Sequence, residues 1–404
     1  MFDAAMAGVR IIDLTHHIAG PYCTKLLADY GADVVKVEKP GEGDPARRLA
    51  PFLGDVPHPE KSGLFAYLNT NKRGITLNLR SQSGREILLR LVENADILIE
   101  NFAPRVMPDL GLTYETLKEI NPRLVMVSIS NFGQTGPYRD YKASELVLNA
   151  MGGEMYSRGL ADREPLKLGG DSVQFQAGTV ASLATSIALW AAEEKGIGDH
   201  LDVSIFETQI GSIDLRGGNI MGYGYTKRVE KREEGAVVRG YPEGVYICSD
   251  GYVQITGRIR YWPRILKMLD YPEELSVPVF GTAAGQANGD MLDIFNAYFI
   301  PWCLDRTKSE IFLKGQAANV LVGPLNTMED IANDPQFESR EFFVEVEHPA
   351  MGKLTMPGAP YKMAETPWEM RRPAPLLGQH NEEVLGSLGY DRENLVKLRE
   401  AGVI

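Results

Sequence analysis

Cysteine is scarce in this chain: Cys23, Cys248 and Cys303 are the three present, far apart and without C-x-x-C spacing. They offer no metal-ligand pattern and fit a reducing cytoplasm. Histidine is also sparse, and of His16, His17, His58, His200, His348 and His380 only the first two are neighbours. Adjacent residues in an extended segment point opposite ways, so no metal site is expected there. The chain has no H-E-x-x-H, no G-x-S-x-G elbow and no Walker loop, which argues against zinc-hydrolase, serine-hydrolase and P-loop chemistry. Its first strand-to-helix turn reads THHIAGPYC, with one glycine where a dinucleotide site needs G-x-G-x-x-G, and PGEGD at 40–44 is a lone turn-like G-x-G. An excess of positive charge is missing too: 42 basic against 54 acidic residues give a net charge of −12. That argues against a general nucleic-acid binder, and any anionic ligand needs a local basic patch. The most apolar window, residues 177–192, is broken by Thr179, Ser182, Thr185 and Ser186, which reads as too short and too polar to span a bilayer. The start, MFDAAMAGVRIIDLTHH, lacks a basic segment followed by an apolar one, so no secretory signal and no membrane role are expected.

What the chain does have is length and pattern. Its 404 residues suffice for two domains with a buried core. VRIIDL, ADVVKVE, GITLNL, ADILIENF and RLVMVSIS read as buried strands, with PYCTKLLADYG, SGREILLRLVEN and TYETLKEIN as the helices between them. This alternation predicts an α/β fold with a parallel, doubly wound sheet, whose functional groups gather in the loops at the carboxyl ends of its strands. From about residue 223 the pattern turns charged and turn-rich, and GVYICSDGYVQITG reads as a hairpin with Asp250-Gly251 at its turn. A smaller α+β domain with its linkers is expected over 223–326, inside a larger domain made of 1–222 and 327–404. The tail returns to helix signals.

Two features suggest chemistry. Lys36, Lys39, Arg47, Arg48, Lys72, Arg73, Arg105 and Lys142 lie around the strand ends, which suits a phosphate-bearing ligand or an ordinary solvated rim. In KLGGDSVQFQAGTVASLATSIALWAAEEKG, residues 167–196, one aspartate stands between a glycine pair and a long apolar helix pattern. Asp171 followed by Gln174 matches a helix cap with its reciprocal partner, and Asp171 equally suits a carboxylate presented for reaction.

The blocks DLTHHIAGPYCTKLLADYGADVVKVEKPGEGDPAR, NTNKRGITLNL, ADILIENFAP, GLTYETLKEINPRLVMVSISNFGQTGPY, GGDSVQFQAGTVASLATSIAL and LGQHNEEVLGSLGY together resemble the third family of CoA-transferases, which also contains methylacyl-CoA racemase. The resemblance implies a Rossmann-like large domain built from both ends of the chain, a small domain between, and an interlocked homodimer. CoA or acyl-CoA enters as a substrate and no cofactor stays bound; the partners are an acyl-CoA and a carboxylic acid, with no nucleic acid and no metal. By similarity, CoA contacts fall on His17, Ile18, Ala19, Lys39, Lys72, Arg73, Asn101, Phe102 and Lys142. Arg105 stands in the same loop as a family arginine but at a different position.

The resemblance also puts the nucleophile on Asp171. An aspartate in water is ionised at pH 7 and can attack a thioester carbonyl without a histidine base. Gly169 and Gly170 would let the thioester approach closely and leave backbone N–H groups for the oxyanion. Glu145 aligns with a glutamate near the nucleophile. The racemase branch carries a histidine–aspartate pair in this region, whereas Ala143 and Ser144 stand here and no histidine lies between His58 and His200. That absence favours transfer over racemisation by α-proton exchange, while an acyl-CoA isomerase working by intramolecular CoA transfer stays open as the alternative. Ile18 replaces a glutamine of the formyl-type enzymes, and VVRGYPEGVYICSDG lacks their glycine run, which points away from formyl and oxalate substrates towards a larger, partly apolar acyl group.

Overall fold

A computed structural model describes residues 4–211, 216–229, 232 and 240–404. The chain divides into two compact units, one of Met1–Gly159, Glu164–Arg232 and Glu341–Ile404, the other of Leu160–Arg163 and Glu233–Arg340.

The first unit is built on six parallel strands, β1 (Arg10–Asp13), β2 (Asp33–Glu38), β3 (Lys72–Thr76), β4 (Ile97–Glu100), β5 (Val125–Ser130) and β6 (His200–Ser204), in the order β3-β2-β1-β4-β5-β6. The order reverses between β1 and β4, where the loops after both strands diverge and open a crevice at their carboxyl ends. Successive side chains on each strand face opposite layers, so both must be apolar. On one face Ile11, Val34, Ile99 and Val127 pack beneath α1 (Ala19–Ala28) and α5 (Ser172–Lys195). On the other, Ile12, Val35, Leu98 and Met126 meet α2 (Gln82–Val92) and α3 (Tyr114–Ile120). The chain's end joins that second layer through Val384 and Leu385 of α6 (Asn381–Ser387) and Leu395 of α7 (Arg392–Glu400). A hairpin of β10 (Phe343–His348) and β11 (Gly352–Pro357) completes the unit.

Helices α1 and α5 touch closely because small residues face each other. A Cβ on Gly178 would stand 2.6 Å from the carbonyl oxygen of Ala19, so only glycine fits. Helix α5 runs 24 residues and is long and apolar enough, by length and composition, to cross a membrane. The expectation of a shorter, more polar segment is corrected on that point: its Thr and Ser hydroxyls are absorbed by bonds such as Thr185 Oγ1 to Ala181 O, 2.6 Å. The helix lies on α1 and β5 in the core, its Ala177, Ala181 and Ala188 buried.

The second unit holds an antiparallel sheet of β7 (Glu243–Cys248), β8 (Gly251–Thr256) and β9 (Leu321–Pro324). Helices Trp262–Met268, Gly289–Leu304 and Lys308–Ala318 contribute to a core rich in rings, among them Tyr241, Phe295 and Phe299. The hairpin turn sits one residue earlier than its sequence suggests. Cys248 pairs with Gly251, so Ser249 and Asp250 form the turn, and Gly251 opens β8 at φ +148°.

Candidate active site

Asp171 occupies the N-cap position of α5, yet its side chain makes no capping bond. Its carbonyl accepts from Gln174 and Phe175 N–H, at 3.1 and 3.2 Å, while the carboxylate is left exposed. The cap comes from another helix. Glu145 opens α4 (Glu145–Met151), and its Oε1 accepts the N–H of Val173 at 3.0 Å. The capping reading of Asp171 is therefore corrected: a neighbouring acid satisfies the helix donor, and the side chain of Asp171 is not engaged in it.

Glu145 is half-buried, with Oε2 buried and lacking a hydrogen-bond partner among the described residues. Burial raises its pKa, Asp171 adds to the rise, and the Val173 N–H and the Lys167 ammonium oppose it. Lys167 Nζ stands 3.7 Å from Glu145 Oε1, donates to Leu168 O at 2.6 Å and also donates to Gly170 O. Gly170 adopts φ +69°, and a Cβ on Gly169 or Gly170 would meet nothing within 4 Å, so the approach beside Asp171 is open. Lys167 is not among the residues expected at the site from the sequence; its place two residues before a glycine pair is the signal that the sequence carries for it.

The loops after β1, β2, β3 and β4 enclose a cavity of about 200 Å³, lined by Leu14, His16, Val37, Leu77, Phe102 and Leu110, with Lys39 and Arg80 also in its wall. The loop after β1 is sharply bent: His17 adopts φ +64°, and its N–H is held by Asp44 Oδ1 at 3.0 Å. Asn101 fastens the loop after β4 to it by a double bond pair, His16 N to Oδ1 and Nδ2 to His16 O, both 2.8 Å. Phe102 then meets His16 edge to face at 5.3 Å. Ile18 and Ala19 are buried at the head of α1, whereas Lys39, Arg105 and Lys142 are exposed. Lys39 pairs with Glu42 at 2.5 Å.

Lys72 and Arg73 depart from their expected role. They open β3 and so lie at its amino end, away from the crevice. Lys72 is fully buried, its ammonium donating to Asp13 Oδ2, Pro21 O and Asn69 Oδ1 at 3.1, 2.9 and 2.9 Å, and burial lowers its pKa to about 8. A phosphate in solvent cannot reach it. Arg73 is spent on Asp33 and Glu383, at 2.6 and 2.9 Å. Lys36 and Arg47 are likewise internal, paired with Asp44 and Glu38. The cation that β3 does bring to the crevice is the exposed Arg80, four residues past its carboxyl end. The rule that ligands gather at carboxyl ends would have chosen Arg80 over Lys72.

A second cavity of about 400 Å³ lies between the loop around Phe52 and β10–β11, lined by Tyr67, Met351 and Met356. None of the expected site residues lines it. Among the described residues no group of three or more His, Cys, Asp or Glu could hold a metal ion. The region 237–251, expected to lack a glycine run, falls partly outside the described residues.

Comparison with known proteins gives a consistent result. The family described as "CoA-transferase family III" matches residues 6–381. A formyl-CoA:oxalate CoA-transferase of Streptomyces coelicolor is 34% identical over the full length of both chains. A succinyl-CoA--D-citramalate CoA-transferase of Chloroflexus aurantiacus is 32% identical over 98% of this chain and 97% of the other. A crystal structure of a CaiB/BaiF family protein from Brucella suis superposes with a TM-score of 0.84 at 29% identity, covering 96% of this chain and all of that one.

Proposed function

This chain belongs to CoA-transferase family III and is an enzyme of the transferase class, and from that premise we propose that it moves CoA from an acyl-CoA thioester to a carboxylic acid with Asp171 as nucleophile. The observation that carries the reading is the exposed Asp171 carboxylate at the head of α5, uncapped because Glu145 takes the helix N–H.

An Asp171 oxygen attacks the thioester carbonyl, the C–S bond breaks, and an aspartyl acyl anhydride forms with free CoA thiolate. The thiolate attacks the aspartyl carbonyl of the anhydride, which releases the donor acid as carboxylate and leaves an aspartyl-CoA thioester. The acceptor carboxylate attacks that thioester, displacing the thiolate to give a second anhydride. The thiolate attacks the acceptor's carbonyl, so that acyl-CoA departs and Asp171 returns. One thioester replaces another, and no outside energy source is needed. Gly169 and Gly170 leave room for the thioester and bring N–H groups to its developing oxyanion.

CoA is read into the crevice over β1–β4, with Lys39 and Arg80 facing its phosphates and His16 and Phe102 in its wall; His17, Ile18, Ala19 and Asn101 belong to the loops behind that wall, and Arg105 and Lys142 are further exposed cations available to it. Lys72 and Arg73 drop out of this set. We read the unit of 1–159, 164–232 and 341–404, whose bounds lie beyond the expected 222 and 327, as the CoA-binding domain, the other unit as the small domain, and the assembly as an interlocked homodimer in the cytoplasm. Three free, buried cysteines fit that compartment. Leu183, Ile187 and Trp190, spaced along one stripe of α5 and 63%, 57% and 67% exposed, support a second copy as their cover. The relatives' names include oxalate, succinyl and citramalate groups, so dicarboxylic acids are candidate donors and acceptors.

The test is trapping. With a true donor, hydroxylamine or borohydride should mark Asp171, seen as a mass shift on the peptide containing LGGDSVQFQAG, and Asp171→Ala should abolish both transfer and the mark while CoA still binds. Rapid α-deuterium incorporation into a 2-methylacyl-CoA without any adduct would instead promote the isomerase or racemase reading.

A further inference from the structure

Two glycines directly precede the reactive aspartate, and that is a mechanical problem. Glycine has the greatest backbone freedom of any residue, so a nucleophile hung on a glycine pair loses the fixed geometry that a near-attack arrangement requires. Neither Gly169 nor Gly170 has packing to restrain it, since a Cβ on either would meet open space. Among the described residues, the side-chain hydrogen bonds to the backbone of residues 168–170 all come from Lys167, to Leu168 O and Gly170 O. The same ammonium lies 3.7 Å from Glu145 Oε1, the oxygen that caps α5 at Val173. One cation thus ties the two carbonyls that flank Gly169 and faces the acid that anchors the next turn. A lysine that merely decorated the surface would extend into water; this side chain is only 22% exposed.

We propose that Lys167 is a positioning residue, a clamp that fixes the Gly169–Gly170 turn against Glu145 and so presents the Asp171 carboxylate to the thioester. The inference rests on the reading of Asp171 as nucleophile. It predicts a loss in the chemical step and not in CoA binding, because the clamp touches no part of the crevice lined by Leu14, Phe102 and Arg80. Lysine and arginine can both bridge two carbonyls, whereas methionine keeps the length and loses the charge and donors.

The experiment compares Lys167→Met and Lys167→Arg with the parent enzyme for kcat, KM for acyl-CoA, CoA affinity by calorimetry, and melting temperature. Expected for Lys167→Met is a fall in kcat of about tenfold or more, with KM and CoA affinity within about threefold and most of the loss recovered in Lys167→Arg. A Lys167→Met enzyme within about twofold of the parent kcat would overturn the clamp, as would a joint fall of kcat, CoA affinity and melting temperature without recovery by arginine. If the parent itself transfers no CoA and yields no Asp171 adduct, the functional reading fails. If the parent transfers CoA and Lys167→Met equals it, only this inference fails.

Discussion

At the residue scale, the division of labour between two acids has a stability signature. Glu145 holds the Val173 N–H and Asp171 holds none of α5's donors, so Glu145→Ala should lower unfolding stability by about 1 kcal/mol, whereas Asp171→Ala should leave it nearly unchanged. Denaturant unfolding of both variants checks this, and the opposite ranking would return the cap to Asp171. A second acid offers a pH test away from the site. Glu100 is buried at the end of β4, and burial raises its pKa to about 7 despite the Ser128 hydroxyl and Phe102 N–H that it accepts from. Between the ordinary carboxylate value and 7 the folded protein holds a proton here that the unfolded chain has shed, so this group's contribution to stability falls as pH rises through that window. Glu100→Gln should flatten the slope between about pH 4.5 and 7 relative to the parent; parallel slopes would show that the carboxyl ionises normally. The lysines show why residue roles were only half legible. A sequence gives their number and approximate place, but whether a lysine at a strand end meets solvent, as Lys39 does, or an internal aspartate, as Lys36 and Lys72 do, depends on which carboxylates the fold brings beneath it.

At the scale of elements, five strands of the parallel sheet were legible because they are buried on both faces and read as unbroken β-branched runs. The sixth, His200–Ser204, was not. It is an edge strand with His200 and Asp202 exposed, and HLDVS carries no such run. The hairpin turn shifted by one residue because Gly251 is used inside the pairing register, at a φ that favours glycine, and not in the turn. The joint between α1 and α5 was also invisible, since only three-dimensional approach reveals that Gly178 faces the Ala19 carbonyl. That contact yields a prediction. Because the obstruction is backbone and cannot swing aside, Gly178→Val should force the helices apart and cost about 1–3 kcal/mol or more, lowering the melting temperature by several degrees. A variant as stable as its parent would show that α1 and α5 part without cost.

At the scale of the whole molecule, the question is what covers the outer stripe of α5. The helix follows Asp171, the proposed nucleophile, and ends at Lys195, and its inner side is satisfied by α1 and β5. Its outer side leaves Leu183, Ile187 and Trp190 more than half exposed, and exposed apolar groups lined up on one helix face mark an association surface more often than they mark solvent. If two copies meet there, assembly and catalysis share one helix. Trp190→Asp would then place a charge in an apolar contact, and sedimentation velocity at micromolar concentration should show the dimer of the parent shifting to monomer. Because the substitution lies about five turns from Asp171, Asp171 itself is unaltered. Transfer activity should therefore fall only insofar as the second copy contributes to the site, and activity measured across a dilution series of the parent should fall in step with the dimer fraction. A Trp190→Asp protein that still sediments as the parent does would remove α5 from the interface and leave the stripe to some other cover.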